Sequence, residues 1–153
     1  MENFKELETF RYLILASQRQ GNRMYTELLT DIGVTPSQAE VISVLTKYQP
    51  LSLKELGSLL ICETGSPSRL IERMVKENLI ERIKNIHDSR FVILQLTELG
   101  RNKHKLIVQA EYQMYEALGG LYSKEELQLV NQILRKFLKT PPLSSTLSNR
   151  GFI

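Results

Sequence analysis

The first third of the chain carries apolar residues at helical spacing and predicts one long helix over residues 4 to about 29, ending near Gly33. Intervals of three or four residues return to the same face of an α-helix. Gly21 is a candidate interruption, since glycine weakens a helix interior. The apolar stripe consists of Phe4, Leu7, Phe10, Ile14, Leu28 and Leu29.

Capping boxes predict where three later helices begin. In such a box a Ser or Thr is followed three residues later by Gln or Glu, and each side chain bonds the other residue's backbone N–H. The boxes are Thr35 to Gln38, Ser52 to Glu55 and Ser123 to Glu126. Thr97 is a further predicted N-cap, for a helix over about 98 to 118 that ends at Gly119-Gly120.

A short amphipathic helix is predicted over about 65 to 77, with Thr64 or Ser66 as its N-cap, because Pro67 is tolerated only in a first turn. Its inward residues are Leu70, Ile71, Met74 and Val75, and its outward residues are Ser68, Arg69, Glu72, Arg73 and Lys76. Asn78 tolerates the left-handed backbone and is predicted to end this helix.

The hydrophobic period changes from about 3.6 to 2 after this helix, as Val92, Leu94 and Leu96 alternate with more polar residues. This pattern predicts a β-hairpin, with a first strand at 80 to 84 and a polar tip at 85 to 90. Two short helices followed by a hairpin are the element order of a winged helix-turn-helix, here over residues 35–100. The predicted fold class is therefore mainly α with a small β-hairpin wing.

Local charge indicates DNA binding more strongly than total charge does. Lys and Arg outnumber Asp and Glu by 20 to 17 in 153 residues, which alone distinguishes little. Small hydroxyl residues and arginines at a helix start suit close contact with phosphates and guanine. The candidate DNA-binding residues are Thr64, Ser66, Ser68, Arg69 and Arg73 on the helix, and Arg82, Lys84, His87 and Arg90 on the hairpin.

Three segments resemble the MarR family of winged-helix regulators. They are Ser68 to Arg82, like the family's recognition helix and first strand; Asp88-Ser89-Arg90, like its wing-tip D-x-R; and Leu96 to Gly100, like its L-T-x-x-G. The chain departs from the family at Asn78, where glycine is usual, and at Pro67. The resemblance implies that Arg90 reaches the minor groove and that Asp88 orients a wing or recognition-helix arginine.

The resemblance also implies an intertwined homodimer built from residues 1–34 and 101–140, bound to a pseudo-palindromic duplex operator. The last helix supports this independently, because its apolar residues are wider than one helix face requires. They are Leu127, Leu129, Val130, Ile133, Leu134, Phe137 and Leu138. Residues 141–153 have few apolar residues and are predicted to form a mobile tail.

Repression released by a small-molecule effector, bound between the dimer helices and the winged domain, is the family's usual mechanism. Five tyrosines are available to line such a site, although core or interface roles suit them equally. They are Tyr12, Tyr25, Tyr112, Tyr115 and Tyr122. One alternative function is a winged-helix module that binds an acidic protein partner.

Cys62 raises the further alternative of an oxidant-sensing regulator, although its apolar Leu-Leu-Ile-Cys setting favours a buried, inert thiol. Two isolated histidines and the lack of catalytic motifs predict no metal, no cofactor and no enzymatic activity. No apolar run approaches the roughly 18 residues of a membrane span, and no signal peptide is recognisable. We therefore expect a cytoplasmic protein.

Overall fold

Helices of very different length surround a small antiparallel sheet in the computed structural model, which describes residues 3–62 and 67–153. The helices are α1 Phe4–Leu29, α2 Pro36–Tyr48, α3 Leu53–Leu59, α4 Ser68–Lys76, α5 Glu98–Gly119, α6 Lys124–Leu138 and α7 Ser144–Asn149, with a 3-10 turn at Thr30–Ile32. The strands are β1 Leu51–Ser52, β2 Ile80–Lys84 and β3 Val92–Leu96. The predicted fold class is confirmed.

The three strands are ordered β1-β3-β2, and both pairings are antiparallel. The predicted hairpin pairs Ile80 with Leu96 and Lys84 with Val92. Strand β1 was not predicted, because two residues are too few to show a period of two. It pairs Leu51 with Leu94, which extends the sheet beneath the start of α3.

The hydrophobic core lies between α2, α3, α4 and the sheet, and the end of α1 and the middle of α5 close it. Leu29 of α1 and Ile107 of α5 are fully buried, whereas the rest of α1 and all of α6 contribute no buried residue. Burying a Leu, Ile or Met side chain stabilises a fold by about 1.5–3 kcal/mol. The fully buried large side chains are Leu29, Val41, Ile42, Val44, Leu45, Leu56, Ile71, Met74, Leu79, Ile80, Leu96 and Ile107.

All three predicted capping boxes are present, each with both of its hydrogen bonds. The Thr35 hydroxyl accepts from the Gln38 backbone N–H at 3.2 Å, while the Gln38 side-chain carbonyl accepts from the Thr35 N–H at 3.0 Å. Helix α1, by contrast, continues through Gly21 without interruption. Its neighbours there are good helix formers, which outweigh the weakening caused by one glycine.

The end of α4 is a Schellman motif centred on Asn78, as predicted. Asn78 has φ of 59°, its N–H donates to the Val75 carbonyl at 3.0 Å, and the Leu79 N–H donates to the Met74 carbonyl at 2.9 Å. Leu79 and Met74 are both buried, which provides the apolar contact that accompanies this motif. The chain is thereby turned directly into β2.

The start of α4 differs from the prediction. The helix begins at Ser68, and Pro67 occupies the N-cap position without a side-chain hydrogen bond. The predicted caps Thr64 and Ser66 lie outside the described residues. Proline has a fixed φ and no N–H, so it suits a helix boundary without a capping side chain.

The C-terminal segment also differs from the predicted mobile tail over 141–153. Helix α7 packs against α3, and the Thr146 hydroxyl donates to the Ser58 carbonyl at 3.0 Å. The Arg150 guanidinium lies 3.5 Å from the Leu59 carbonyl, to which it donates. These partners lie about 90 positions away along the chain, so no local pattern predicts them.

Helix α5 begins in close contact with the turn after α4. The Thr97 hydroxyl accepts from the Gly100 N–H at 3.1 Å and donates to the Asn78 carbonyl at 2.6 Å. A Cβ atom at Gly100 would overlap the Leu79 carbonyl oxygen, which is a backbone atom that cannot rotate away. The glycine of the L-T-x-x-G segment is therefore required by packing.

We expect Gly100→Ala to lower the free energy of unfolding by about 1–3 kcal/mol, the usual cost of overpacking. Gly21→Ala is the matched control, because Gly21 is also helical and has open space around its Cα. It should raise the free energy of unfolding by about 0.5–1 kcal/mol. Urea denaturation of both variants checks this, and equal stabilities would contradict it.

Candidate nucleic-acid interface

Helix α4 presents one polar face to solvent while its other face is buried. Ile71 and Met74 face the core, whereas Ser68, Arg69 and Arg73 are exposed. Both arginines lie within the first two turns of the helix and are accessible to solvent. This is the arrangement that a recognition helix needs to approach the edges of base pairs.

Arg73 is held by a polar chain that leads into the core. Its Nε donates to Glu77 Oε1 at 3.0 Å, and Gln38 Nε2 donates to Glu77 Oε2 at 2.9 Å. Gln38 is only 3% exposed and completes the capping box of α2 with its carbonyl oxygen. Sequence reasoning identified Gln38 only as a capping residue and missed that it and Glu77 hold Arg73, although the four-residue spacing of Arg73 and Glu77 was a signal for an ion pair.

Asp88 and Arg90 form a closed unit at the tip of the hairpin. The Arg90 guanidinium donates two hydrogen bonds to the carboxylate, from Nε at 3.0 Å and Nη2 at 2.8 Å. The Arg90 backbone N–H also donates to Asp88 Oδ1 at 3.1 Å. The arginine that Asp88 orients is therefore Arg90 itself, whose side chain remains 83% exposed.

The same contacts shift the ionisation of both groups. The side-chain hydrogen bonds from Arg90, reinforced by its backbone N–H, hold the pKa of Asp88 below its usual value. The carboxylate in turn raises the pKa of Arg90. The pair is thus fully charged at neutral pH.

The remaining predicted wing residues, Arg82, Lys84 and His87, are exposed, and the wing also carries apolar surface that the sequence did not single out. Ile86 is 94% exposed. The hairpin adjoins α4, because Ser68 and Glu72 line the same shallow cavity of about 210 Å³ as Arg82. The structure therefore brings Ser68 and Glu72 of α4 close to Arg82 of β2.

Cys62 is exposed rather than buried, so the expectation of a buried thiol is wrong. Its Sγ lies 4.0 Å from the Ser37 carbonyl, and its backbone N–H donates to Glu40 Oε1 at 3.2 Å. The apolar residues before it, such as Leu60, turn into the core, and the chain has left the core by Cys62.

Tyr25 differs from the other tyrosines considered for an effector site. Its hydroxyl donates to Glu111 Oε1 at 3.0 Å, and burial together with that carboxylate raises its pKa. It borders a cavity of about 240 Å³ that Glu40, Cys62 and Arg150 also line. Tyr12, Tyr112, Tyr115 and Tyr122 are exposed in this chain.

Within residues 3–62 and 67–153, no group of three or more His, Cys, Asp or Glu side chains is placed to hold a metal ion. Over the same residues, no helix has the length and apolar character needed to cross a membrane.

Comparisons with known proteins agree with this geometry. A family model described as "Winged helix DNA-binding domain" matches residues 34–100. A structure of a MarR variant from E. coli in complex with operator DNA superimposes with a TM-score of 0.79 at 24% identity, over 88% of this chain and 97% of that one, and shows the shared fold. The chain is therefore similar in fold to the MarR regulators, and its residues 34–100 match the winged-helix family.

Two curated relatives are named as transcriptional regulators, which is not an enzymatic role. The organic hydroperoxide resistance regulator of Bacillus subtilis (strain 168) is 30% identical over 89 residues, 58% of this chain and 60% of that relative, so the match spans less than two thirds of its length. The MgrA regulator of Staphylococcus aureus is 28% identical over 137 residues, 89% of this chain and 90% of that relative.

The Asp88–Arg90 contact predicts how the wing responds to pH. Because the carboxyl pKa is depressed, the stabilisation from the pair is fully present above the ordinary aspartate pKa. This stabilisation is lost as the pH falls through the depressed pKa of Asp88. An NMR titration of the Asp88 carboxyl should show a pKa below that of ordinary aspartate in the wild type. In Arg90→Ala it should return to the ordinary value, and an unchanged midpoint would contradict the contact.

Proposed function

We propose that this chain is a sequence-specific duplex-DNA-binding transcription regulator. The single observation that carries the proposal is the bidentate Asp88–Arg90 pair, which holds an exposed guanidinium at the tip of the hairpin that follows α4. In this proposal, Ser68, Arg69 and Arg73 contact the major groove. Arg90 enters the minor groove, and Lys84 and His87 lie near phosphates.

Physical chemistry supports this division of roles. Arginine can donate two parallel hydrogen bonds to guanine O6 and N7, which is the commonest specific major-groove contact. Narrow minor grooves concentrate negative potential and attract an inserted arginine. An arginine that is already held in place loses less conformational entropy on binding, which favours Arg90 in this role.

Homodimerisation through α1, α5 and α6 is part of the proposal. Helix α6 has no buried residue within the chain, although about half of it is apolar, and Phe137 is 76% exposed. An apolar groove of about 530 Å³ between α1 and α6 is lined by Leu7, Phe10 and Ile14 together with Leu134 and Phe137. A second copy is the occupant that we propose, because two winged domains on one body match a pseudo-palindromic operator.

Repression that an effector releases is the finer proposal. The cavity beside Tyr25 and Glu111 lies where α1 and α5 meet α2 of the winged domain, and it suits a small ligand. Such a ligand releases DNA only if it binds the DNA-incompetent arrangement more tightly. The exposed Cys62 at this cavity favours thiol oxidation as a second candidate signal.

Peroxide treatment of the wild-type and Cys62→Ser complexes with DNA separates the effector signal from the oxidation signal, since only oxidation requires the thiol.

We expect Arg90→Ala to weaken operator binding by about tenfold or more and to reduce its salt dependence. Operators selected from random duplex DNA provide the ligand, and titrations at several salt concentrations provide the measurement. The control is Arg23→Ala, which removes an exposed arginine that is paired with Glu27 on α1. If neither salt nor the Arg90 substitution changes binding, the DNA proposal fails and the protein-binding alternative is favoured.

For the dimer, we expect Phe137→Glu to shift the protein from dimer to monomer in sedimentation experiments, because a charge would then face the apolar surface of the second copy. Gln128→Glu, on the opposite side of α6, is the matched control and should remain dimeric. A wild-type monomer at micromolar concentration would contradict the proposed assembly.

A further inference from the structure

The ion pair between Arg150 and Glu40 joins the end of the chain to the helix-turn-helix. Arg150 Nη1 lies 3.4 Å from Glu40 Oε2, and the two side chains are only 16% and 17% exposed. The other ion pairs found in the described part of the chain have at least one side chain more than half exposed. Removing one partner of a shielded pair leaves an uncompensated charge, which costs more than the loss of a surface pair.

Glu40 uses its other carboxylate oxygen to hold the backbone that follows α3. Oε1 accepts from the Ile61 N–H at 2.6 Å and from the Cys62 N–H at 3.2 Å. These two residues lie on the segment that leads from α3 toward α4. The Glu40 carboxylate therefore holds the backbone of Ile61 and Cys62, which precede α4 along the chain.

The segment around Arg150 is attached on two sides. On the winged side, the Thr146 hydroxyl donates to the Ser58 carbonyl, and Arg150 donates to the Leu59 carbonyl. On the other side, Arg135 of α6 donates from Nε to the Phe152 carbonyl at 2.9 Å. The C-terminal segment thus connects α6 of the proposed dimer interface with the helix-turn-helix.

We infer that Arg150 is a positioning residue for DNA binding. Through Glu40 it holds the backbone of Ile61 and Cys62, and through the C-terminal segment it holds the winged domain at a defined place relative to α6. In a dimer, that place sets the separation of the two recognition helices and hence the preferred half-site spacing. The inference rests on the proposed function, since its effect is measured on an operator.

The test compares full-length wild type, Arg150→Ala and Arg150→Lys, with Arg23→Ala as control. Arg150→Ala should weaken operator binding by about five- to tenfold or more and broaden the range of half-site spacings that are bound. The slope of affinity against salt should stay at the wild-type value, because Arg150 is not proposed to contact a phosphate. Arg150→Lys retains the charge and should fall between the two.

A second readout does not depend on DNA. Hydrogen exchange at the Ile61 and Cys62 amides should accelerate in Arg150→Ala and less in Arg150→Lys, while exchange in α1 stays unchanged. In the Glu40→Gln background, Arg150→Ala should change the exchange of these amides little further. A double-mutant cycle measures this difference.

The outcomes separate this inference from the proposed function. If the wild type binds no duplex, the proposed function fails. Amide exchange then still reports whether Arg150 holds the backbone of Ile61 and Cys62. If the wild type binds but the Arg150 variants match it in affinity, spacing preference and exchange, the inference is overturned. A reduced salt slope in Arg150→Ala would also overturn it, since that would indicate a direct phosphate contact. Should Arg150→Ala fail to fold, the same comparison is made with Arg150→Lys.

Discussion

The junction between the end of α4 and the start of α5 is the contact on which the rest of the structure depends. At this point the Thr97 N–H donates to the Leu79 carbonyl at 3.1 Å, and its hydroxyl donates to the Asn78 carbonyl. Gly100 allows the first turn of α5 to lie against the same carbonyl of Leu79. Helix α4, the hairpin and α5, which is the longest helix of the C-terminal half, therefore meet at a few backbone atoms, and none can shift without the others.

Features that a few neighbouring residues encode were predictable from the sequence. A capping box and the left-handed Asn78 each depend on chemistry within about four residues, the hairpin shows as a period of two within one short strand, and all are present. The C-terminal helix and the exposed Cys62 were predicted wrongly for the opposite reason. Thr146 and Arg150 find their partners about 90 or more positions away, and the exposure of Cys62 depends on where the chain leaves the core.

The candidate interface shows the same division. Its outward residues follow from the polar stripe of α4 and from the hairpin tip, whereas the groups that hold them in place do not. Gln38 looks like an ordinary capping residue in the sequence, yet its side chain also bonds Glu77, which holds Arg73. A buried amide must satisfy both its donor and its acceptor groups, and only the tertiary fold shows which partners it uses.

The two halves of the chain differ in how they are stabilised, and this difference bears on regulation. The winged domain has its own buried core, whereas α6 and most of α1 expose apolar side chains within a single chain. The shape of the winged domain is therefore set by its own packing, but its position depends on contacts made elsewhere. In the proposed dimer those contacts are made with the second copy, among the residues around the cavity beside Tyr25, and between Arg150 and Glu40. A signal that alters any of them can change the spacing of two recognition helices while leaving each winged domain folded.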